Sequence, residues 1–226
     1  MKRLIVCGVF FLQFVQAYAV KYECRGAVIW TPLETKMFEA VKNGMMIHLS
    51  RALRSGADID FHDEGGWTVL IHAVWAKYEG HEETAIFLLD KGADFKVKTK
   101  MGQDALGMAV IADAEKVVKK LIGLGADVNS QNSAGVTPLF AACVNSRTSI
   151  VKLLLDNDAE VNIRNNKGDT PLMAAVKANN LEILKMLAEA GADIDVINHA
   201  GEIPIDIAYQ NGFSEIFEYL SALGAK

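Results

Sequence analysis

Five histidines, three cysteines and a scatter of carboxylates are the residues of this chain that could bind a metal, attack a substrate or move a proton. A protein metal site needs ligands a few residues apart on one helix face or turn. His48, His62, His72, His81 and His199 form no such pair with one another or with a cysteine. His81-Glu82-Glu83 comes nearest to the H-E-x-x-H helix and stops before its second His. A serine nucleophile would announce itself as G-x-S-x-G, which is absent. Cys143 follows Ala141-Ala142 in a run of small apolar residues, where a thiol reads as an inert packing group. Gly123-Leu124-Gly125 lacks the third glycine of a dinucleotide fingerprint and ends a helical run where that motif would open one. Asp58/Asp60 and Asp193/Asp195 recur along the chain and read as turn caps. The expectation is a protein without a catalytic centre, metal, cofactor or small-molecule substrate.

The elements around these residues fall into two unlike parts. Lys2 and Arg3 precede an almost wholly apolar run over residues 4–15, followed by Ala17-Tyr18-Ala19. That order matches a secretory signal peptide, with cleavage expected after Ala19. The apolar run is too short for the roughly 20 residues of a spanning helix. Losing residues 1–19 with Lys2 and Arg3 takes the formal net charge from −5 to −7. A mildly acidic balance argues against nucleic acid, whose phosphates demand a basic face, and no later stretch is apolar for long enough to insert stably in a membrane. No N-x-[ST] sequon occurs, which favours a bacterial periplasm over a eukaryotic secretory route. Cys24 and Cys143 lie about three repeats apart on the periodicity below, too far for a disulfide, whose Cα atoms lie within about 7 Å.

The second part is periodic. Gly-Ala-Asp occurs at 56–58, 92–94, 125–127 and 191–193, with degenerate copies at 158–160 and 224–226. After one step of 36 residues, each copy follows the last by 33. A second phrase keeps the same beat: Gly66-Trp67-Thr68-Val69-Leu70, Gly102-Gln103-Asp104-Ala105-Leu106, Gly135-Val136-Thr137-Pro138-Leu139, Gly168-Asp169-Thr170-Pro171-Leu172 and Gly201-Glu202-Ile203-Pro204-Ile205. Glycine permits the positive φ of a tight turn, threonine caps a helix, and proline fits its first position. Small residues follow at Ala73, Ala109, Ala141-Ala142, Ala174-Ala175 and Ala208, so a first helix packs closely on its neighbours. Ile150-Val151 with Leu154-Leu155, and Ile183-Leu184 with Met186-Leu187, give a second helix one buried face.

These phrases resemble the ankyrin repeat, close to D-x-x-G-x-T-P-L-H-x-A-A followed by a second helix and G-A-D-V-N. Residues 132–162 and 165–195 match best, and the resemblance spans 31–226. It implies an all-α solenoid in which each repeat is a β-turn with an antiparallel helix pair. Behind a leader at 1–19 and an N-terminal segment at 20–30, six repeats are expected at 31–60, 61–96, 97–129, 130–162, 163–195 and 196–226. Thr31-Pro32-Leu33-Glu34 opens the first with a capping box and a helix about one turn longer. The usual His after Leu is replaced by Ile71, Gly107, Phe140, Met173 and Asp206, and three extra residues enter the second repeat near 76–80.

In ankyrin proteins, partners meet the turn tips and the exposed inner side of the first helix. Carried over residue by residue, this selects Trp67, Met101, Gln103, Val136, Lys167 and Asp169 at the tips. On the first helices it selects Trp75, Ile111, Val144, Asn145 and Lys177, and the insertion adds Lys77 and Tyr78. The apolar members concentrate in repeats two to four, with Trp67 and Trp75 as anchors. The implied function is a non-enzymatic protein-interaction module, periplasmic or secreted, monomeric when unbound, with another protein as its partner. One version is an immunity protein that neutralises a toxin such as a lipase effector. The alternatives are a stabilising or assembly factor for a periplasmic enzyme and a secreted effector acting in a host cell.

Overall fold

The computed structural model describes residues 30–76 and 78–225. The expected leader, Cys24 and the inserted Lys77 lie outside the described residues. Among the described residues the chain forms twelve helices and no strand. They pair as α1 (Pro32–Lys42) with α2 (Met46–Arg54), α3 (Val69–Trp75) with α4 (His81–Asp90), and α5 (Ala105–Ala112) with α6 (Glu115–Gly123). The series continues with α7 (Pro138–Val144) and α8 (Thr148–Leu155), α9 (Pro171–Lys177) and α10 (Leu181–Glu189), and α11 (Pro204–Gln210) and α12 (Ser214–Ala222). One pair falls in each of the six repeats read from the sequence. The first helix is the long one, at 11 residues against 7 in α3.

The caps explain where the first helices begin. Thr68, Thr137 and Thr170 each accept the N–H three residues on through the hydroxyl, and Asp104 does so through its carboxylate. Thr31 and Glu34 make the expected capping box. Ile203, in the last repeat, caps nothing. The first helices stack on one another and the second helices form an outer layer. Ala73, Ala109, Ala142, Ala175 and Ala208 share one register and are all fully buried, so the first helices approach closely. Leu88, Leu121, Leu154, Leu187 and Leu220 fill the matching layer from the second helices.

The repeats also join through their turns. Lys100 N–H donates to the Gly65 carbonyl at 2.9 Å, Ser133 to Met101 at 3.0 Å, Asn166 to Ala134 at 3.0 Å, and His199 to Lys167 at 2.9 Å. This spacing needs a glycine for two reasons. Gly135 has φ +73°, and a Cβ there would stand 2.9 Å from the backbone nitrogen of Asn166 in the next turn. Gly191 also has positive φ, +86°, but a Cβ there would meet nothing within 4 Å.

The two glycines separate backbone strain from turn contact. Gly191→Ala is expected to cost about 1–2 kcal/mol, the strain of a left-handed backbone. Gly135→Ala adds displacement of the next turn and should cost about 2–4 kcal/mol. Urea midpoints of the two variants give the comparison, and equal midpoints would show that turn contact contributes nothing.

Candidate protein-binding site

The turns before α3, α5, α7, α9 and α11 are each closed by a side chain at the same position of the repeat. Asn132 Oδ1 accepts N–H groups from Ala134 and Val136 at 2.9 and 3.0 Å, and Asn165 Oδ1 those of Lys167 and Asp169 at 2.8 and 3.0 Å. Asn198 does the same for Ala200 and Glu202, and Asp63 for Gly65 and Trp67. Thr99 holds the Gln103 N–H in the third repeat. These bonds fix Trp67, Gln103, Val136 and Asp169 in one register at the foot of the turn. Met101 and Lys167 stand at the tips and are exposed.

Turns and first helices enclose a groove of about 770 Å³ over repeats four and five. Val136, Phe140 and Val144 line one side, and Ala174 and Ala178 the other. Asn166, Lys167 and Lys177 supply the polar edge. Val144 is 52% exposed, which leaves an apolar surface in contact with water. Lys177 is tied down: its ammonium lies 3.0 Å from Asp169 and 3.3 Å from Glu202. Burial disfavours its charge, but the two carboxylates outweigh that and raise its pKa above the usual lysine value. Asp169 is buried and also accepts from Asn198 Nδ2 at 2.7 Å, so its charge is used inside the molecule. Lys167 forms no ion pair among the described residues and keeps its charge for the groove.

Other expected binding residues stand apart from this groove. Trp67 and Trp75 meet edge to face with ring centroids 6.4 Å apart, and Trp67 packs on His72 at 5.4 Å. Trp67 is half-buried and Trp75 exposed. The contacts continue through His72 and Phe38 to Trp30, which links this corner to the first repeat. Ile111 is half-buried against the core. Gln103 accepts from Asn132 Nδ2 at 2.8 Å, bridging two turns, and Asn145 Nδ2 donates to the Ala141 carbonyl at 2.8 Å. Tyr78 lies at the end of the helix pair away from the turns. Its ring stands against Gly44, and its hydroxyl donates to Thr84 at 2.9 Å.

Phe140 is the groove residue that reading by position passed over. It occupies the place of the family's His, and it turns into the groove wall. Asn132, Asn165 and Asn198 were legible too, because they repeat at the 33-residue step.

Of the groups with potential chemistry, Cys143 is fully buried in α7, and burial pushes its thiol pKa up, away from the reactive thiolate. Among the described residues no group of three or more histidine, cysteine or acidic side chains gathers as a metal site. His72 is the group with consequence. Burial pushes its pKa below the ordinary histidine value, although its Nε2 lies 3.2 Å from Asp63 Oδ2. A lowered histidine pKa means that the unfolded chain takes up the proton more readily, so stability falls as pH drops below about 6.5. Asp63 is also held below its ordinary pKa; burial opposes this, but hydrogen bonds from Trp67, His72 and Gly65 outweigh it. Its stabilisation is lost only at more acid pH. Urea midpoints from pH 7.5 to 5 should therefore decline in the wild type and decline less in His72→Gln. Parallel curves for the two proteins would contradict the assignment.

Ankyrin repeats (three copies) describes the family profile that matches this chain, over residues 37–132 and again over 106–198. No curated protein matched the chain. With matches that together span 37–198 and six helix pairs joined turn to turn, the chain belongs to the ankyrin-repeat family, whose fold is a protein–protein interaction module.

Proposed function

We propose that this chain is an exported, non-catalytic module that captures a partner protein in the groove over repeats four and five. The observation that carries the reading is the groove itself. It joins an apolar wall, the exposed Val144 backed by the half-buried Val136 and the buried Phe140, to a Lys167 with no ion pair among the described residues at its edge. The packed turns hold it open without a partner, which spares the cost of ordering a loop on binding. An apolar wall with a polar rim is the anatomy of a protein interface. In this reading the leader directs the chain to the periplasm. There it acts as an immunity protein, and blocking a toxin such as a lipase effector is its task. Trp67 and Trp75 extend the contact along the same face.

The test is capture from a periplasmic extract by residues 20–226, with Val144→Glu as the comparison. A carboxylate placed against the partner's apolar surface should weaken capture about thirtyfold, or about 2 kcal/mol, with the helical circular dichroism unchanged. The captured protein's activity should fall when the wild-type chain is added. Capture equal in both forms contradicts the groove, and activity that rises on binding contradicts neutralisation.

A further inference from the structure

A second pocket lies on the opposite side of the stack, between the second helices of repeats one and two. Along the rest of the solenoid, consecutive second helices pack side by side; α2 and α4 approach each other less closely. The Tyr78 ring lies against Gly44, in the link between α1 and α2, so an aromatic ring stands between the starts of α2 and α4. Where these helices end, a pocket of about 510 Å³ opens, within the range of small-ligand and side-chain sites.

Its floor is apolar, made of Leu53, Ile59 and Phe87, and its edges carry Arg54 and Lys91. Neither cation forms an ion pair among the described residues. Arg54 donates from Nε to the Ser50 carbonyl at 3.3 Å, which leaves the outer guanidinium nitrogens to other partners. Lys91 Nζ stands 5.6 Å from the Phe87 ring centroid. The carboxylates near Arg54 and Lys91 in the chain have other contacts. Asp58 and Asp94 accept the N–H groups of Asp60 and Lys96, and Asp90 pairs with Lys120. No carboxylate lines the pocket itself, so its edge carries two cations over an apolar floor, on a chain whose formal net charge is −5.

We infer that this pocket is a second docking site, for a short acidic segment of a protein that inserts one large apolar side chain between Leu53, Ile59 and Phe87. Two cations at the edge of an apolar floor suit an apolar side chain flanked by carboxylates. The carboxylates of the segment meet Arg54 and Lys91. With the concave groove on the other face, the chain becomes a two-sided adaptor. The second site does not rest on the groove being occupied.

The probe is a fluorescein-labelled peptide, Asp-Glu-Leu-Phe-Glu-Asp, followed by anisotropy with the full mature chain, with Lys-Lys-Leu-Phe-Lys-Lys as its charge opposite. The acidic peptide should bind at least tenfold more tightly than the basic one. Arg54→Glu with Lys91→Glu should weaken it at least tenfold, and the milder Arg54→Gln with Lys91→Gln severalfold. Val144→Glu with Lys167→Glu should leave it unchanged. Equal binding of both peptides, or no binding by either up to about 1 mM, overturns the proposal. So does loss of binding in the groove variant alone, which would put the peptide in the concave groove and leave that reading intact. Decanoate that binds at this pocket while the peptide does not would also overturn it.

Discussion

One turn of this stack can lie on the next only where no Cβ intervenes. At Gly66, Gly102, Gly135 and Gly168 the backbone of the following turn comes so near that a side chain would displace it. That contact permits the backbone N–H to carbonyl bond that ties each internal turn to its successor. The direction of every first helix depends on it. Threonine or aspartate caps the helix as the chain leaves the turn, and a fully buried alanine follows in each first helix, where consecutive first helices pack. Contact at the turn and contact at the alanine together fix the spacing along the solenoid. The concave face is the surface which that spacing leaves open.

Function follows from what the inner face needs not do. Stability resides in the alanine and leucine layers and in the turn bonds, which leaves side chains such as Trp75, Met101, Val144 and Lys167 exposed along the inner face. In repeats four and five they become an apolar wall beside a free lysine. In repeat two they become a pair of tryptophans backed by His72. The two patches differ in rigidity of support. The groove rests on asparagine-closed turns, whereas the tryptophan corner rests on a histidine–aspartate contact whose protonation costs stability.

Much of this architecture was legible in the residues. A 33-residue step, glycine before threonine-proline-leucine, and paired small residues specify six helix pairs because each is a local requirement of the turn, the cap or the close approach. The capping box at Thr31 and the uncapped Ile203 were readable for the same reason. Site residues were harder. Asp169 stands in the register of Trp67 and Val136, yet it is buried and held by Lys177 on the following helix and by Asn198 in the next repeat. Phe140 took the place of a family histidine, and whether it faced core or groove depended on the next repeat. Tyr78 arrived in an insertion that sequence habit assigns to the binding face, but its ring lies on Gly44 at the far end of the helix pair. Such outcomes depend on neighbours that no local pattern encodes.

The central claim is that a preformed concave groove, held by the turns, receives a protein partner. Hydrogen exchange of the full mature chain, alone and saturated with its captured partner, tests it directly. The account predicts slow exchange of the turn amides of Ser133, Asn166 and His199 in the free chain, and added protection on binding concentrated in residues 132–145 and 165–178. Fast exchange of those turns in the free protein, or protection confined to the outer layer of second helices, would contradict it.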